Sequence, residues 1–530
     1  MKRIIISCLI LLFVKLEISA QQFDWEEKVF VHLSKNIAIT GEPIWFSIDV
    51  ESTDTTFVPS MAYIEIVNRN GLSVHQLLIP LENGKGSNNF KAPLHLISDH
   101  YLFRCYTRSS AFTGEKGVFN QLITIINPEK PAPIVTNSKK KDTIVIKDQT
   151  KSDLISENTL SKNSSTIIKI PESGILSISI SNPFLDGKYD GRIAKNIYKP
   201  LQIDNMLPEP YGHVVHARVR SGSSNQPYYL SAHGRQNYFN IAKPNEEGEM
   251  FFELASFKEV NFLLAQKYDQ SSAMDFELIS PFLNLQFLDG FELPVLELKR
   301  EQESFLENLI LAGRVEEYYY KPETIGNGLI NTEIKPDKTY ILDDYNRFEN
   351  VEITLKEYIP EVYVRKSNRN VLFKVMNDPT GIVFQENPLL LIDNMPIMDA
   401  NAFAAFDPKG IEKIDLINRK FYFNDQAYDG VISLTSKNGD FGGFELPKEA
   451  LYLDYYKFAS KIKLRDRGVN PYREDKNFPD FRNLIYWNDE AEGGVDNIYP
   501  SELSGTYVIR HSFYDGNEWS TSIDKVEVRN

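Results

Sequence analysis

The strongest constraint on this chain is a run of short apolar segments, each of a strand's length, separated by turn-forming residues. Between residues 23 and 128 they are Lys28 to Leu33, Ile44 to Val50, Ala62 to Asn68, Ser73 to Pro80, His100 to Thr107 and Gln121 to Asn127. Thr40-Gly41-Glu42-Pro43, Asn68-Arg69-Asn70-Gly71 and Asn83-Gly84-Lys85-Gly86 stand between them. Strand-length runs broken by Gly, Asn and Pro at this spacing build an antiparallel sandwich, because no run is long enough for a helix to bury a face. The 27 Tyr and 33 Phe, with abundant Val and Ile, push the same way, since aromatic and β-branched side chains fit a pleated surface.

The same grammar continues downstream. From about Glu129 to Lys169 the composition turns to Pro, Lys, Ser and Asn, including Lys139-Lys140-Lys141, which reads as an extended linker. Strands resume over 170 to 183 and again from 208 to about 280. Glu301 to Tyr320 carries Phe305, Leu306, Leu309, Ile310 and Val315 at near-helical spacing, and Phe348 to Tyr358 is a second helix that Pro360 ends. Val362 to Arg365 and Val371 to Val375 are strands. Leu389 to Ile392, a turn at Asp393-Asn394, a helical patch around Phe403, then Ile411 to Leu416 and Val431 to Thr435 complete a compact mixed unit. Leu484 to Trp487, Thr506 to Ser512 and Trp519 to Val528 form a sandwich-like end, with a turn at Asp515-Gly516.

At 530 residues, 42% hydrophobic, the chain holds several domains with real cores. Residues 1 to 20 pair Lys2-Arg3 with an apolar stretch, Ile4 to Val14, and a cleavage-like Ile18-Ser19-Ala20, the form of a secretory signal. Cys8 lies inside that stretch and not just after the cut, which argues against a lipoprotein anchor. Cleavage would leave Cys105 as the single cysteine, so no intramolecular disulfide is available and each domain must stand on its core. No later run is apolar and long enough for a transmembrane helix. The net charge is −15, and removing Lys2, Arg3, Lys15 and Glu17 leaves −17, a surface that repels nucleic acid and anionic lipid.

Three resemblances follow from these residues. Ile392-Asp393, Pro396-Ile397, Pro408-x-x-Ile411-Glu412-x-Ile414, Gly430-Val431-Ile432 and Thr435-x-Lys437-x-Gly439 resemble the plug domain of TonB-dependent outer-membrane transporters of the Bacteroidetes type. The family's Asp-Gly turn is Asp393-Asn394 here, and Asn also accepts a left-handed backbone. Only 90 residues follow Asp440, too few for a barrel of many ~10-residue strands, so the unit cannot plug a barrel of its own. VFVHLSKNIAITGEPIWFSIDV with HYLFRCYT resembles a macroglobulin domain, where Gly41-Glu42 precedes a strand bearing Trp45. The Cys-Gly-Glu-Gln run of thioester protease traps is missing from the sequence. Gly212-His213-Val214 and Asn245-Glu246-Glu247-Gly248-x-x-Phe251 resemble the carboxypeptidase regulatory-like sandwich, whose role in such proteins is structural.

The expected class is therefore mainly β, tandem macroglobulin or immunoglobulin-like sandwiches with one small α/β plug-like domain. The expected divisions are a signal peptide (1–20), a macroglobulin-like sandwich (21–128), a linker (129–169), a β segment of a second such sandwich (170–207), a carboxypeptidase regulatory-like sandwich (208–300), a connector (301–344), the plug-like domain (345–442) and a C-terminal sandwich-like segment (443–530).

Chemistry is sparse. His213 and His216 fall on opposite faces of a strand, poor metal geometry, and His95 and His100 lack a third ligand. The acidic run Asn488 to Asn497 lacks the ligand order of a calcium loop and reads as a solvated loop. Asp393, Asp399, Asp407 and Asp415 read as turn and strand-end residues. No Ser-His-Asp signature, zincin motif or phosphate cradle stands out, so the expectation is no catalytic, metal or cofactor site. Tyr318-Tyr319-Tyr320 and Tyr452 to Phe458 are either hot spots for a partner or filling between domains. A sheet edge near Val431 to Thr435 is a candidate for strand addition. Asp142-Thr143-Ile144 and Asp54-Thr55-Thr56 resemble the short O-glycosylation sites of exported Bacteroidetes proteins. These readings point to an exported envelope protein, periplasmic or outer-membrane-associated, binding protein partners with a TonB-dependent transporter or secretion complex among the candidates. The alternatives are a carbohydrate- or peptide-binding protein and, behind it, a protease-inhibitor-like macroglobulin.

Overall fold

The computed structural model describes residues 25–113, 116–132, 150–151, 154–155, 159–161, 165–185, 191–202, 206–219, 226–234, 236–254, 260–268, 274–319, 322–324, 335–456, 458, 462–464 and 480–529. The signal segment, the triple-lysine tract and Asp142-Thr143-Ile144 lie outside them. The structure is mainly β, built of tandem sandwiches and one small α/β unit, as the patterning predicts.

The N-terminal sandwich pairs a three-stranded sheet (Glu27–Leu33, Pro43–Ser52, Lys85–Lys91) with a five-stranded one ordered Ile37–Ile39, Phe119–Ile126, Asp99–Tyr106, Met61–Val67, Ser73–Pro80. Val29, Val31, Phe46, Ile64, Phe103 and Ile123 fill the space between, with Cys105 buried among them. Two strands escaped sequence reading. Ile37–Ile39 is too short to show a period, and Lys85–Lys91 has the composition of a turn. Asn83 and Gly84 both adopt positive φ in the tight connection, where a Cβ on Gly84 would meet the Val50 carbonyl oxygen at 2.6 Å.

Downstream the chain nests its domains, and here the sequence-based divisions need correcting. Strand Gly174–Ile180 lies between Leu484–Ala491 and Gly505–Tyr514, and Trp519–Arg529 extends the same sheet. The segments expected as two separate sandwiches, 170–207 and 443–530, thus form one domain split by some three hundred residues. The linker also shrinks. Thr150–Lys151 and Thr159–Ser161 run parallel to Trp519–Arg529, and Thr166–Ile170 pairs with Gly494–Ile498. Leu154, Leu160 and Ile168 are completely buried with Leu176, Tyr486 and Val528. Such two- to five-residue strands are diluted by the polar residues between them, so a composition window misses them. The acidic run Asn488 to Asn497 is likewise no solvated loop but two strands meeting at Glu492-Gly493, with Asp496 accepting from the Tyr486 hydroxyl at 2.6 Å.

Inserted in this host is a middle sandwich, with Glu249–Glu253, Val214–Arg218 and Glu277–Leu278 in one sheet and Tyr238–Ala242, Tyr228–His233, Phe262–Lys267 and Leu451–Asp454 in the other. Its last strand comes from beyond the α/β unit, so this domain too is closed by a return of the chain. Helix α1 (Glu303–Tyr319) turns back to the host core through Leu309 and Ala312. Gly313 is the contact with the N-terminal sandwich, since a Cβ there would lie 2.1 Å from Ile39 Cδ1. Mid-helix Gly costs about 1 kcal/mol relative to Ala, and the close approach explains it. Pro322–Thr324 then pairs with Ile462–Leu464, the outgoing strand beside the returning one.

The α/β unit is a five-stranded sheet ordered Lys338–Ile341, Ile411–Ile417, Val431–Ser436, Leu389–Ile392, Met395–Pro396, with α2 (Val351–Tyr358), α3 (Ala400–Ala405) and a side sheet of Val362–Ser367, Asn370–Asn377 and Ile382–Val383. Lys338–Ile341 places its start before the expected Tyr345. Asn350 and Asp399 cap the two helices through their side chains. Asp393 and Asn394 both take positive φ (47° and 62°), a two-residue hairpin turn that Asn supports in place of Gly. Val431–Ser436 is central, parallel to Leu389–Ile392 and antiparallel to Ile411–Ile417, so the strand-addition edge expected there is already occupied on both sides.

Buried Asp393 closes the unit. Its carboxylate accepts from the Ser436 amide (2.7 Å), the Ser436 hydroxyl (2.6 Å) and the Phe441 amide (2.9 Å). Burial pushes the Asp393 carboxyl up, and these donors pull the other way. They hold Phe441 at φ 60°, a backbone region costing about 1–3 kcal/mol for a residue of this kind. Asp393→Ala is expected to cost about 3 kcal/mol by orphaning these donors, read as a lowered thermal midpoint. Truncation after residue 444 should do more. It removes the closing strands of both host and middle sandwiches, so circular dichroism should show loss of both while the N-terminal sandwich persists.

Candidate functional site

The densest cluster of chemistry-bearing side chains joins the N-terminal and middle sandwiches. Tyr63 and Arg108 come from the five-stranded sheet and the loop after it, Glu209 and His213 from the approach to strand Val214–Arg218, and Tyr455 from the returning segment after Leu451–Asp454. His213 Nδ1 is 2.9 Å from Glu209 Oε1, and the Tyr455 hydroxyl is 2.6 Å from His213 Nε2. Tyr63 donates to Glu209 Oε2 at 2.6 Å, and Arg108 reaches Glu209 Oε1 at 3.4 Å and the Val214 carbonyl at 3.1 Å. The Val214 amide donates to the same carboxylate at 2.9 Å.

This is the geometry of a carboxylate-oriented imidazole with a hydroxyl on its far nitrogen, which in an open cleft would serve proton transfer. Its setting is different. Tyr63 and His213 have no exposed surface, and the ring of His213 is walled by Tyr63, Tyr455 and Phe458. Burial works to raise the Glu209 carboxyl, but His213 and Arg108 outweigh it and hold it below the usual carboxylate range. Burial and the adjacent Glu209 carboxylate push the Tyr63 phenol well up. The Glu209 backbone carbonyl accepts from the Ser60 amide (2.9 Å) and hydroxyl (2.6 Å), pinning the turn to the N-terminal sandwich. The cluster spends its hydrogen-bonding capacity on the joint itself.

Two further buried clusters repeat the design. Arg104 and Tyr106 converge on Glu65, with Arg104 also donating to the Leu285 carbonyl beyond the middle sandwich at 3.0 Å. Lys35, wholly buried, donates to Asn483 Oδ1 at 2.9 Å and faces Glu42 at 3.4 Å, and Asn483 donates to Glu42 at 2.9 Å. That triangle ties the N-terminal sandwich to the host.

The residues singled out from sequence fall as follows. His213 is buried in the joint, whereas His216 is part-exposed on the opposite face, stacked on Phe251. His100 is buried, hydrogen-bonded to the Thr124 hydroxyl at 2.9 Å and pushed by burial down to about 3. No group of three or more His, Cys, Asp or Glu placed to hold a metal occurs among the described residues. Asp399 and Asp407 accept at helix starts, while Asp415 sits within a strand and accepts from Thr339 at 2.6 Å. Tyr455 and Phe458 are buried fillers between domains, and Tyr452 is exposed, stacked on Phe262. The side chains of Tyr318 to Tyr320 lie outside the described residues. Asp54 accepts from the Thr56 amide and hydroxyl in an exposed turn. Glu209, Tyr63 and Arg108 escaped sequence reading. The only trace was Glu209 four residues before His213, in a Pro-flanked turn.

No protein-family model matches the chain, and no curated protein matches it. Among solved structures, similar chains include Salmonella alpha-2-macroglobulin reacted with methylamine (7% identity, TM-score 0.16, covering 95% of this chain and 23% of that one). Trypsin-activated alpha-2-macroglobulin from Escherichia coli (8%, TM-score 0.22, 95% and 42%) and its native conformation (8%, 0.22, 95% and 40%) are others. The chain spans less than half the length of each.

Removing Glu209 should expose the joint's dependence on it. Glu209→Ala leaves His213, Arg108 and Tyr63 facing an uncompensated gap and is expected to cost about 3–5 kcal/mol. Because the folded carboxyl titrates below its usual 4.5, its contribution is fully present above that pH and fades as pH falls through the lower folded value. The thermal-midpoint gap between the parent and Glu209→Gln should therefore be full at pH 7 and narrow below about 4.5.

Proposed function

We propose that the chain is a non-enzymatic, exported cell-envelope protein that works as a scaffold, holding protein partners at the outer membrane through its macroglobulin-like sandwiches and plug-like α/β unit. One observation carries this reading. The acid, base and hydroxyl groups of the Glu209–His213 cluster are buried where two domains meet and bond to one another across the joint, so their chemistry fixes domain spacing. A protein that invests buried charge in its joints presents its surfaces at fixed separations, which suits binding several contacts of a large partner at once.

The compartment rests on the signal-like first 20 residues, and the partner class on the likeness of residues 388 to 440 to transporter plugs. An outer-membrane transporter or secretion complex is the partner we favour. In-cell crosslinking with mass spectrometry should recover envelope proteins joined to lysines of the N-terminal sandwich or α/β unit. Recovery of the mature protein only as a free periplasmic monomer would sink the proposal. Saturable binding on glycan or peptide arrays would transfer support to a small-ligand-binding function.

A further inference from the structure

The host sandwich covers the centre of the outer face of the N-terminal three-stranded sheet. Phe30, His32 and Trp45 on that face pack against Ile175, Leu484, Trp487 and Trp519 of the host sandwich. At the centre His32 is fully buried, its Nδ1 2.7 Å from the Ser512 hydroxyl and its Nε2 2.8 Å from the Ser177 hydroxyl. Both serines belong to the host. One imidazole thus bridges two strands of one domain from a strand of the other.

We propose that this joint is an acid-released latch, in which protonation of His32 undocks the N-terminal sandwich from the host. A neutral ring satisfies the site, donating from one nitrogen and accepting on the other, with Ser512 also 2.9 Å from the Thr521 hydroxyl. An imidazolium would place a charge among Trp487, Phe30 and uncharged hydroxyls.

No carboxylate is among the groups that oppose it, and none of those groups compensates a positive charge. From the host, Arg510, held at 3.2 Å on the Ser179 hydroxyl, and His511, held at 2.9 Å on the Glu172 carbonyl, both oppose a positive charge on His32. From its own sheet, the paired residue across the ladder is Ser47. The joint's carboxylates, Asp49, Glu51 and Glu518, sit towards its edge with Lys85, Lys28 and Lys116 around them, and Lys116 meets Glu518 at 2.8 Å.

Burial, then Arg510 and the neighbouring His511 ring, hold the docked imidazole well below its usual 6.5. The undocked form takes up a proton the docked form excludes, so docking is strongest above 6.5 and weakens as pH falls beneath it. The undocked population grows about tenfold per pH unit in that window. Asp49 and Glu51, pushed up by burial, act in the opposite sense and favour the docked form at lower pH.

The protein carries its own reporter, because three of its four tryptophans, Trp45, Trp487 and Trp519, line this joint. Emission and small-angle scattering of the full chain should be followed from pH 8 to 5.5. We expect a reversible red shift and a larger radius of gyration on acidification, both lost in His32→Gln, which keeps a donor and an acceptor and does not titrate. An unchanged parent over this range, or a His32→Gln protein that still responds, overturns the proposal. Should His32→Gln already be undocked at pH 8, the imidazole resonances of the histidine-labelled parent decide. The His32 ring must gain its proton in step with the red shift, and a red shift with the His32 ring still neutral overturns the proposal.

Discussion

The fold depends on one backbone ladder, the one that seats Gly174–Ile180 between Leu484–Ala491 and Gly505–Tyr514. Everything between those segments is an excursion that must return before the host sheet exists. The entropy of closing so long a loop grows only slowly with its length, about 0.6 kcal/mol per doubling, so the architecture is thermodynamically tolerable. Its burden is kinetic. Pairings across some three hundred residues slow folding, and the host strands cannot be satisfied until the inner domains have formed. The close pairing of Pro322–Thr324 with Ile462–Leu464 eases part of this, since it brings the two ends of the segment that carries the α/β unit together before the host ladder closes.

The joints are cemented by polar groups, where apolar packing alone would have served stability as well. Buried ion pairs recover little net energy after desolvation, and losing one partner is severe. What they supply is a single geometry. The carboxylate of Glu209 has its donors only when Tyr63, Arg108 and His213 stand in one arrangement, and the Lys35–Glu42–Asn483 triangle does the same at the host joint. A greasy interface such as Trp45 against Trp487 could slide, and the polar locks beside it forbid that.

Sequence reading recovered what is local. Strands such as Ser73–Pro80 and Leu389–Ile392 appear at their predicted bounds because their apolar runs are bracketed by turn residues, and both long helical patterns formed helices. The Asp393-Asn394 turn was legible because positive φ restricts residue choice. Connectivity was not. Nothing in SGILSISI states that its neighbours are three hundred residues away, and Thr159–Ser161 has no period of its own. The Glu209 cluster was invisible for the same reason. Its five residues span positions 63 to 455, and only the fold makes them neighbours. The centrality of Val431–Ser436 was equally a matter of topology, as a strand's composition does not say which of its edges is free.

The paired strands at the mouth of the excursion also decide how the molecule bears load. A pull along the backbone that enters the host through Gly174–Ile180 and leaves through Trp519–Arg529 is carried in shear by ladders within the host sheet. The α/β unit, leaving and rejoining through adjacent antiparallel strands, hangs beside that line of tension. Force would reach it by unzipping Pro322–Thr324 from Ile462–Leu464 after the host had failed. Its surface thus keeps its shape while the host is under strain.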